Sequence, residues 1–297
     1  MVRALTDKFR RRIEQRLDQA AALLYRQCFK HNTISAYDGD TRLAIVSVNY
    51  STLRWLKLML LTLTEQNELS RITDIIIVDN SSRDGSRKFL KELNQAVSAV
   101  TVVENNWFLN HARGMRSGLK ALANRQSAAN VVLSVDTDVI FLRNDTLQAV
   151  ATRFEEGTTL LGEMRYGLYE VPEAQASFIA VRRDIMARPD ILPWVNHGAP
   201  SYWMQKSIRE AGLSVCDFPS NQEGYILHRG RAGVAAAREF HPGASYGSAT
   251  NTMPHFMGIP EGKSIWKNAE QRWTQYLDDD ALCIEHLEQR LSIHPEY

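Results

Sequence analysis

The chain has 297 residues, 44% hydrophobic and 23% charged, with a formal net charge of +1. This is an ordinary globular composition, long enough for one or two cores, and it excludes disordered, fibrous and general nucleic-acid-binding classes. Cys28, Cys216 and Cys283 are dispersed and form no CxxC pair, which excludes a disulfide framework or cysteine-based zinc module and points to a reducing compartment.

Residues 1–40 read as an amphipathic helical extension. Val2, Leu5, Phe9, Ile13, Leu17, Ala20 and Leu24 recur at three- and four-residue steps, the spacing of one helix face. Residues 1–30 carry eight Lys or Arg against three Asp or Glu, and the last twenty residues carry six acids against one arginine. Three arrangements fit that contrast: packing on the helix's own domain, pairing in a homodimer, or peripheral contact with an anionic membrane face. "MVRALTDKFRRRIEQRL" places basic residues where a signal peptide has its apolar core. The apolar stretch "LKLMLLTL" is too short to span a bilayer. A cytoplasmic protein, peripheral on the inner membrane face if the helix docks there, is the expectation.

From residue 43 the pattern alternates. "LAIVSVNY" (43–50), "ITDIIIVDNSS" (72–82), "AVTVVENN" (99–106) and "NVVLSVDTD" (130–138) are β-branched apolar runs. The segments "STLRWLKLMLLTLTEQ", "RDGSRKFLKELNQAV" and "LNHARGMRSGLKALANRQ" between them have helical spacing. Such alternation predicts an α/β three-layer sandwich around a mostly parallel sheet with right-handed crossovers. Ligands bind beyond the carboxyl ends of such strands. Asn49 and Tyr50, Asp79 and Asn80, and Asp136 and Asp138 all fall at those ends.

Two aspartates at the end of a buried strand are costly without a cation or strong donors. No G-x-G-x-x-G follows the first strand, where "VNYSTLRW" stands, and no Walker A loop occurs anywhere. A divalent cation with oxygen ligands, Mn2+ or Mg2+, is the remaining way to hold a diphosphate beside Asp136 and Asp138. Without that cation the two carboxylates are expected to repel each other.

These segments resemble the GT-A fold nucleotide-sugar glycosyltransferases, most closely the family 2 group with bacterial rhamnosyl- and galactosyltransferases. "IIIVDNSSRDGSRKFL" is similar to their "VVDNGSTDGT" signature, "NHARGMRSGLKAL" to their "GFARGNNLGL" helix start, and "VVLSVDTDVIF" to their Asp-x-Asp strand. "FIAVRRDIM", "IREAGLSVCDFP" and "YILHRGRAG" resemble their later segments, so the likeness runs over roughly residues 43–235. The resemblance implies a metal-dependent transferase, acting in bacterial glycan or glycoconjugate synthesis on a glycan, lipid-linked or small-molecule acceptor. It places Asn49, Tyr50, Asp79, Asn80, Arg113 and Asp136 at the nucleotide-sugar, with Asp79 on the base. It places Asp136, Asp138 and His228 at the metal. The implied boundaries are a nucleotide-sugar half over 41–140, an acceptor half over 141–240, and a C-terminal loop and helical tail over 241–297.

Two positions depart from the family pattern. Asn110 replaces the glycine before the "ARG" helix, where asparagine also tolerates the left-handed conformation. No carboxylate stands where inverting members keep an acidic pair before the "aG" helix end; Pro200, Ser201 and Trp203 span that place. Candidate bases nearby are His197, Glu163 and Asp217, while a retaining reaction needs none, so the stereochemistry stays open. Residues 239–263 read as one long loop suited to a lid or acceptor wall. Trp194, Tyr202, Trp203 and Trp266 are candidates for sugar stacking or for core. Two alternatives stand beside a transferase: a non-catalytic nucleotide-sugar-binding relative, and a sugar nucleotidylyltransferase, which should carry a glycine-rich loop after the first strand.

Overall fold

The computed structural model describes residues 36–107, 110–125, 127–195, 200–240 and 251–292, together with residues 13, 16, 17 and 20. The expected amino-terminal helix therefore lies largely outside the described residues. Its four described positions are helical, with Ile13 and Leu17 exposed.

Strand β1 (Leu43–Asn49) leads through helix α1 (Leu53–Leu63) to β2 (Ile72–Asp79). Helix α2 (Ser86–Ala96) then leads to β3 (Val100–Glu104), and α3 (His111–Asn124) leads to β4 (Val131–Val135). These four strands are mutually parallel in the order β3-β2-β1-β4. The expected strands are present, each shorter at its carboxyl end because the polar residues there turn into loops. The second half adds β5 (Val139–Phe141), α4 (Thr146–Glu155), β6 (Leu160–Arg165), β7 (Glu173–Arg182), α5 (Tyr202–Glu210), β8 (Val215–Asp217), β9 (Ile226–His228) and α6 (Ala232–Phe240). The sheet continues β4-β7-β6-β8, with β7 antiparallel to both neighbours, so β7 alone runs against the other six strands. Strands β5 and β9 form a separate antiparallel ribbon.

Strand alternation sorts the core into two layers. Leu43, Ile45, Ile75, Ile77 and Leu133 face Leu56, Met59 and Leu60 of α1 and Phe89 and Leu93 of α2. Their neighbours Ala44, Val46, Ile76, Val78 and Val132 face Met115, Leu119 and Leu122 of α3. Helix α3 sits close to the sheet at two glycines. A Cβ on Gly114 would meet Val48 Cγ1 at 2.8 Å, and one on Gly118 would meet Val46 Cγ1 at 2.8 Å and Val78 Cγ2 at 2.9 Å.

Three C-terminal helices, α7 (Gly262–Arg272), α8 (Thr274–Asp278) and α9 (Asp280–Leu291), add Trp266, Trp273, Leu277, Cys283 and Leu287 to the α1–α2 layer. The buried Lys57 of α1 ties them down: its ammonium pairs with Asp280 and donates to the Leu277 carbonyl at 2.9 Å. The reading of 239–263 as a single loop is trimmed at its two ends. Helix α6 runs to Phe240, a 3-10 turn covers Phe256–Gly258, and α7 starts at Gly262; residues 241–250 lie outside the described residues. Among the described residues, no helix is long and apolar enough to cross a membrane.

Candidate active site

The chain moves outward from β1 to β2 to β3, then α3 carries it back to place β4 on the other side of β1. A crevice opens at such a reversal, beyond the carboxyl ends of the strands. Asn49 and Val135 end the two strands that flank it.

Asp136 leaves β4 with its N–H on the Ser177 carbonyl of β7 at 2.9 Å, and the Val139 N–H closes the turn on the Asp136 carbonyl at 3.2 Å. The ribbon then brings a distant residue to this turn, because Val139 of β5 pairs with His228 of β9. His228 Nε2 lies 3.3 Å from Asp138 Oδ1 and 3.8 Å from Asp136 Oδ2. One ligand atom from each residue falls within a 4.8 Å set. The Ala232 N–H, at the positive end of α6, holds Asp138 Oδ2 at 3.2 Å. The structure thus brings together the three expected metal residues, 92 positions apart in sequence at their widest (136 to 228).

Their electrostatics separate the two aspartates. Burial pushes the Asp136 carboxyl above its usual range, and His111 and His228 only partly oppose it. Burial also raises Asp138, but the His228 charge and hydrogen bond, the Ala232 N–H and Arg229 outweigh it and hold that carboxyl low. Burial lowers His228, yet the carboxylates of Asp138, Asp136 and Glu163 hold its pKa above 6.5. The expected repulsion is present, since the Asp138 charge helps raise Asp136, but it is not bare: His228 lies against both carboxylates and opposes it.

Glu163 supports this triad from behind. Its Oε2 accepts from Ser220 Oγ at 3.2 Å and from Asn221 N and Nδ2 at 2.7 and 2.8 Å, and Asn221 Oδ1 accepts from the His228 N–H at 2.8 Å. An oxygen already holding three donors is an anchor for the β9 turn. Asp217 is exposed and accepts from Tyr166 OH at 2.9 Å and from the Met164 N–H at 3.0 Å. His197 lies outside the described residues.

Two histidines absent from the sequence-based set border the triad. His111, the first residue of α3, places Nε2 4.0 Å from Asp136 Oδ1 and its ring 6.0 Å from Trp194. His255 stands edge-on to His228 at 5.6 Å and packs on Gly230, where a Cβ would come within 2.2 Å of its ring. Asn110 is not left-handed: it is extended (φ −67°, ψ 162°) and caps α3, its side chain accepting from the Arg113 N–H at 3.0 Å. Asparagine serves there as an N-cap, for which it is among the preferred residues. The "NHARG" segment signals a helix start, and the residue that comes near Asp136 is one position on, at His111.

The expected nucleotide residues lie in the loops after β1 and β2. Asp79 is fully buried, accepting from Asn49 Nδ2 at 3.2 Å, the Ser82 N–H at 3.1 Å and Arg87 Nε at 3.1 Å. Asn80 accepts from Asn105 Nδ2 at 3.0 Å. Asp84 braces two helix starts, accepting from the Leu53 N–H of α1 at 2.8 Å and the Ser86 N–H of α2 at 3.2 Å. The "VDNSSRDGS" stretch is thus a self-bonded turn that fixes the crevice floor. Tyr50 packs under Ala236, Ala237 and Phe240 of α6, and burial pushes its phenol up to about 12 against the opposing charge of Arg83. Arg113 is exposed on the first turn of α3. Of the aromatic candidates, Trp194 and Trp266 are core residues, 1% and 3% exposed.

The profile of the family described as "Glycosyl transferase family 2" matches residues 44–205, more than half of the chain. Among curated proteins, none matches. The solved structures similar to it include a mannosyltransferase, PcManGT from Pyrobaculum calidifontis, in complex with GDP-Man and Mn2+. That protein is 17% identical at a TM-score of 0.47, over 91% of this chain and 81% of that one. Another is S. aureus TarS 1-349 in complex with UDP-GlcNAc, 14% identical at a TM-score of 0.47, over 84% of this chain and 90% of that one. A third is GalNAc-T7 with UDP, GalNAc and Mn2+, 13% identical at a TM-score of 0.46, over 62% of this chain and 43% of that one. With its α/β GT-A-like sheet and a profile match over residues 44–205, the chain belongs to glycosyl transferase family 2.

Proposed function

We propose that this protein transfers a sugar from a nucleotide-diphosphate donor to an acceptor hydroxyl, with a divalent cation held by Asp136, Asp138 and His228. The convergence of those three ligand atoms at the β1–β4 crevice is the observation that carries the reading. The donor set fits such an ion: two carboxylates and an imidazole suit Mn2+ most closely and Mg2+ as well. When bound, the ion would neutralise charge on the leaving diphosphate.

The chain's own residues supply the rest. Glu163 and Asn221 orient His228, the N-terminus of α6 fixes Asp138, and the Asn49–Asp79–Ser82 turn forms the floor on which the nucleoside lies. Arg113, at the start of α3, is the cation we assign to the donor's phosphates. Asp79 acts by holding that floor rigid, since its carboxylate already has three donors. The boundaries we favour follow this division, with the donor bound by 41–140 and the acceptor by 141–240.

Thermal-shift measurements with UDP- and GDP-sugars, with and without Mn2+, test the reading. A ligand at a hundred times its Kd stabilises by about 2.7 kcal/mol, so a metal-dependent rise in Tm is the expected result. No shift with any nucleotide would defeat the proposal. Release of nucleoside diphosphate separates an enzyme from a binding-only relative.

A further inference from the structure

The acceptor half lacks a carboxylate at the start of α5, yet a buried carboxylate reaches that place from another strand. Glu173 opens β7. The bond from the Asp136 N–H to the Ser177 carbonyl marks where β7 passes the Asp-x-Asp turn. Glu173 lies four residues further along, at most about 13 Å away at the rise of an extended strand. It is beyond the carboxyl end of β4, the edge at which ligands bind in such sheets.

Its surroundings hold it firmly. Glu173 pairs in register with Arg165 at the end of β6. The Arg165 guanidinium binds Oε2 through two N–H groups, Nε at 2.9 Å and the other closer still. The next residue is clamped to α5: the Ala174 N–H donates to Gln205 Oε1 at 2.6 Å, and Gln205 Nε2 donates to the Ala174 carbonyl at 2.9 Å. Tyr169 and Tyr202, with ring centroids 4.8 Å apart, stand at the hairpin and at the first residue of α5. Glu173 itself is fully buried, and its Oε1 has no hydrogen-bond partner among the described residues. A buried polar atom without a partner costs about 1–3 kcal/mol and calls for an explanation.

We propose that Glu173 Oε1 is the base that takes the proton from the acceptor hydroxyl, an assignment that rests on the glycosyltransferase reading. The acceptor O–H bond breaks and its proton passes to Oε1. The acceptor oxygen forms a bond to the anomeric carbon, and the bond from that carbon to the diphosphate oxygen breaks, its electron pair leaving with the diphosphate. Attack from the side opposite the leaving group inverts the anomeric centre. Arg165 fixes Oε2 and leaves Oε1 as the oxygen that reacts. Burial raises the Glu173 carboxyl above its usual range although Arg165 opposes it, which strengthens it as a base.

Water and azide serve as probe acceptors, since azide attacks as an anion and needs no base. Wild type, Glu173→Gln and Glu173→Ala are incubated with Mn2+ and a panel of UDP- and GDP-sugars, and nucleoside diphosphate is measured across pH. Both variants should lose about 10²–10⁴-fold of hydrolysis, keep donor affinity, and lose the acidic limb of the pH profile. Azide should restore nucleoside diphosphate release by Glu173→Ala and yield a glycosyl azide of inverted configuration. Hydrolysis at the wild-type rate overturns the assignment, and so does a lowered Tm with lost donor affinity in Glu173→Gln, which marks a structural ion pair. A wild type that binds donor but releases no diphosphate with either nucleophile also overturns it. A wild type that binds no nucleotide-sugar overturns the parent reading instead, and the assignment falls with it.

Discussion

The hydroxyls of Thr52 and Thr137 lie 2.8 Å apart and join the loop after β1 to the Asp-x-Asp turn. Thr52 Oγ1 already donates its one proton to Asn49 Oδ1 at 2.7 Å, so the Thr137 hydroxyl must be the donor between the two threonines. Asn49 passes the chain on to Asp79 and to Ser82 Oγ. The Asp-x-Asp turn and the Asn49–Asp79–Ser82 turn are therefore one hydrogen-bonded unit, with all of these side chains buried.

That direction gives an ordered prediction. Thr137→Val removes one donor and leaves Thr52 short of a partner on its lone pairs alone. Thr52→Val strips a donor from Asn49 Oδ1 and an acceptor from Thr137, orphaning two buried groups. The expected losses are about 1 kcal/mol for Thr137→Val and about 2–3 kcal/mol for Thr52→Val. Urea unfolding of the two variants checks the order, and equal losses would show that the hydroxyl chain carries no stability.

Much of the first half of the sheet, β1 to β4, is legible in the sequence because its strands are apolar runs that switch to polar residues at one edge, a pattern set by burial on both faces. Asp136 and Asp138 stand out for the same reason. The Thr52–Thr137 contact, His111, His255 and Glu173 were not legible, because each depends on contacts between separate segments: 52 with 137, 111 with 136, 228 with 255, and the β7 start at 174 with 205. A threonine inside Asp-x-Asp carries no local signal of its partner. Strand β7 reads as later sequence of ordinary composition, and only its antiparallel register on β4 brings Glu173 to the crevice side.

The close approach of α3 predicts the sign of a glycine substitution. Alanine is better than glycine in a helix interior by about 1 kcal/mol. At Gly118, however, the new methyl would sit 2.8 and 2.9 Å from Val46 and Val78, β-branched residues with little rotamer freedom in a packed strand. Overpacking costs about 1–3 kcal/mol, so after the helix gain of about 1 kcal/mol Gly118→Ala should lower stability by up to about 2 kcal/mol. Val46→Ala should relieve much of that loss when combined with it. A stabilised Gly118→Ala in thermal unfolding would mean that α3 can lift from the sheet.

Lys57 and Asp280 differ in burial, with side chains 3% and 38% exposed. Removing the lysine leaves a carboxylate that water can still reach. Removing the aspartate leaves a buried ammonium with the Leu277 carbonyl as its remaining hydrogen-bond acceptor among those described. Asp280→Ala is therefore expected to destabilise more than Lys57→Met, by about 1–3 kcal/mol between them. Equal melting temperatures would show that the pair contributes little to docking the C-terminal helices.

Asp138→Asn keeps the side chain's size while removing charge from the cation site. If the ion stabilises the departing diphosphate, turnover should fall about a hundred- to thousand-fold, roughly 3–4 kcal/mol of barrier. In EDTA the same change should lower Tm, because Asp138 is paired with His228. Near-full turnover in the variant would remove Asp138 from the metal site.

The raised pKa of His228 sets how metal affinity must change with pH. Between the two carboxylates the imidazole holds its proton above pH 6.5, and a cation can use Nε2 only after that proton leaves. Mn2+ affinity should therefore fall as pH is lowered, starting above 6.5 and approaching about tenfold per unit once His228 is protonated. Asp138, held low by His228, stays ionised through that range and adds no slope. The metal-free protein should behave in the opposite sense. Protonated His228 stabilises it fully below pH 6.5, the unfolded value, and that contribution is lost as pH rises through the folded value. His228→Asn should weaken Mn2+ binding and flatten both dependences together. Calorimetric titration of Mn2+ between pH 5.5 and 8.5, about one and a half units either side of neutrality, beside Tm in EDTA over the same range, provides the test. A pH-independent Mn2+ affinity in the wild type would exclude the His228 imidazole from the metal's ligands.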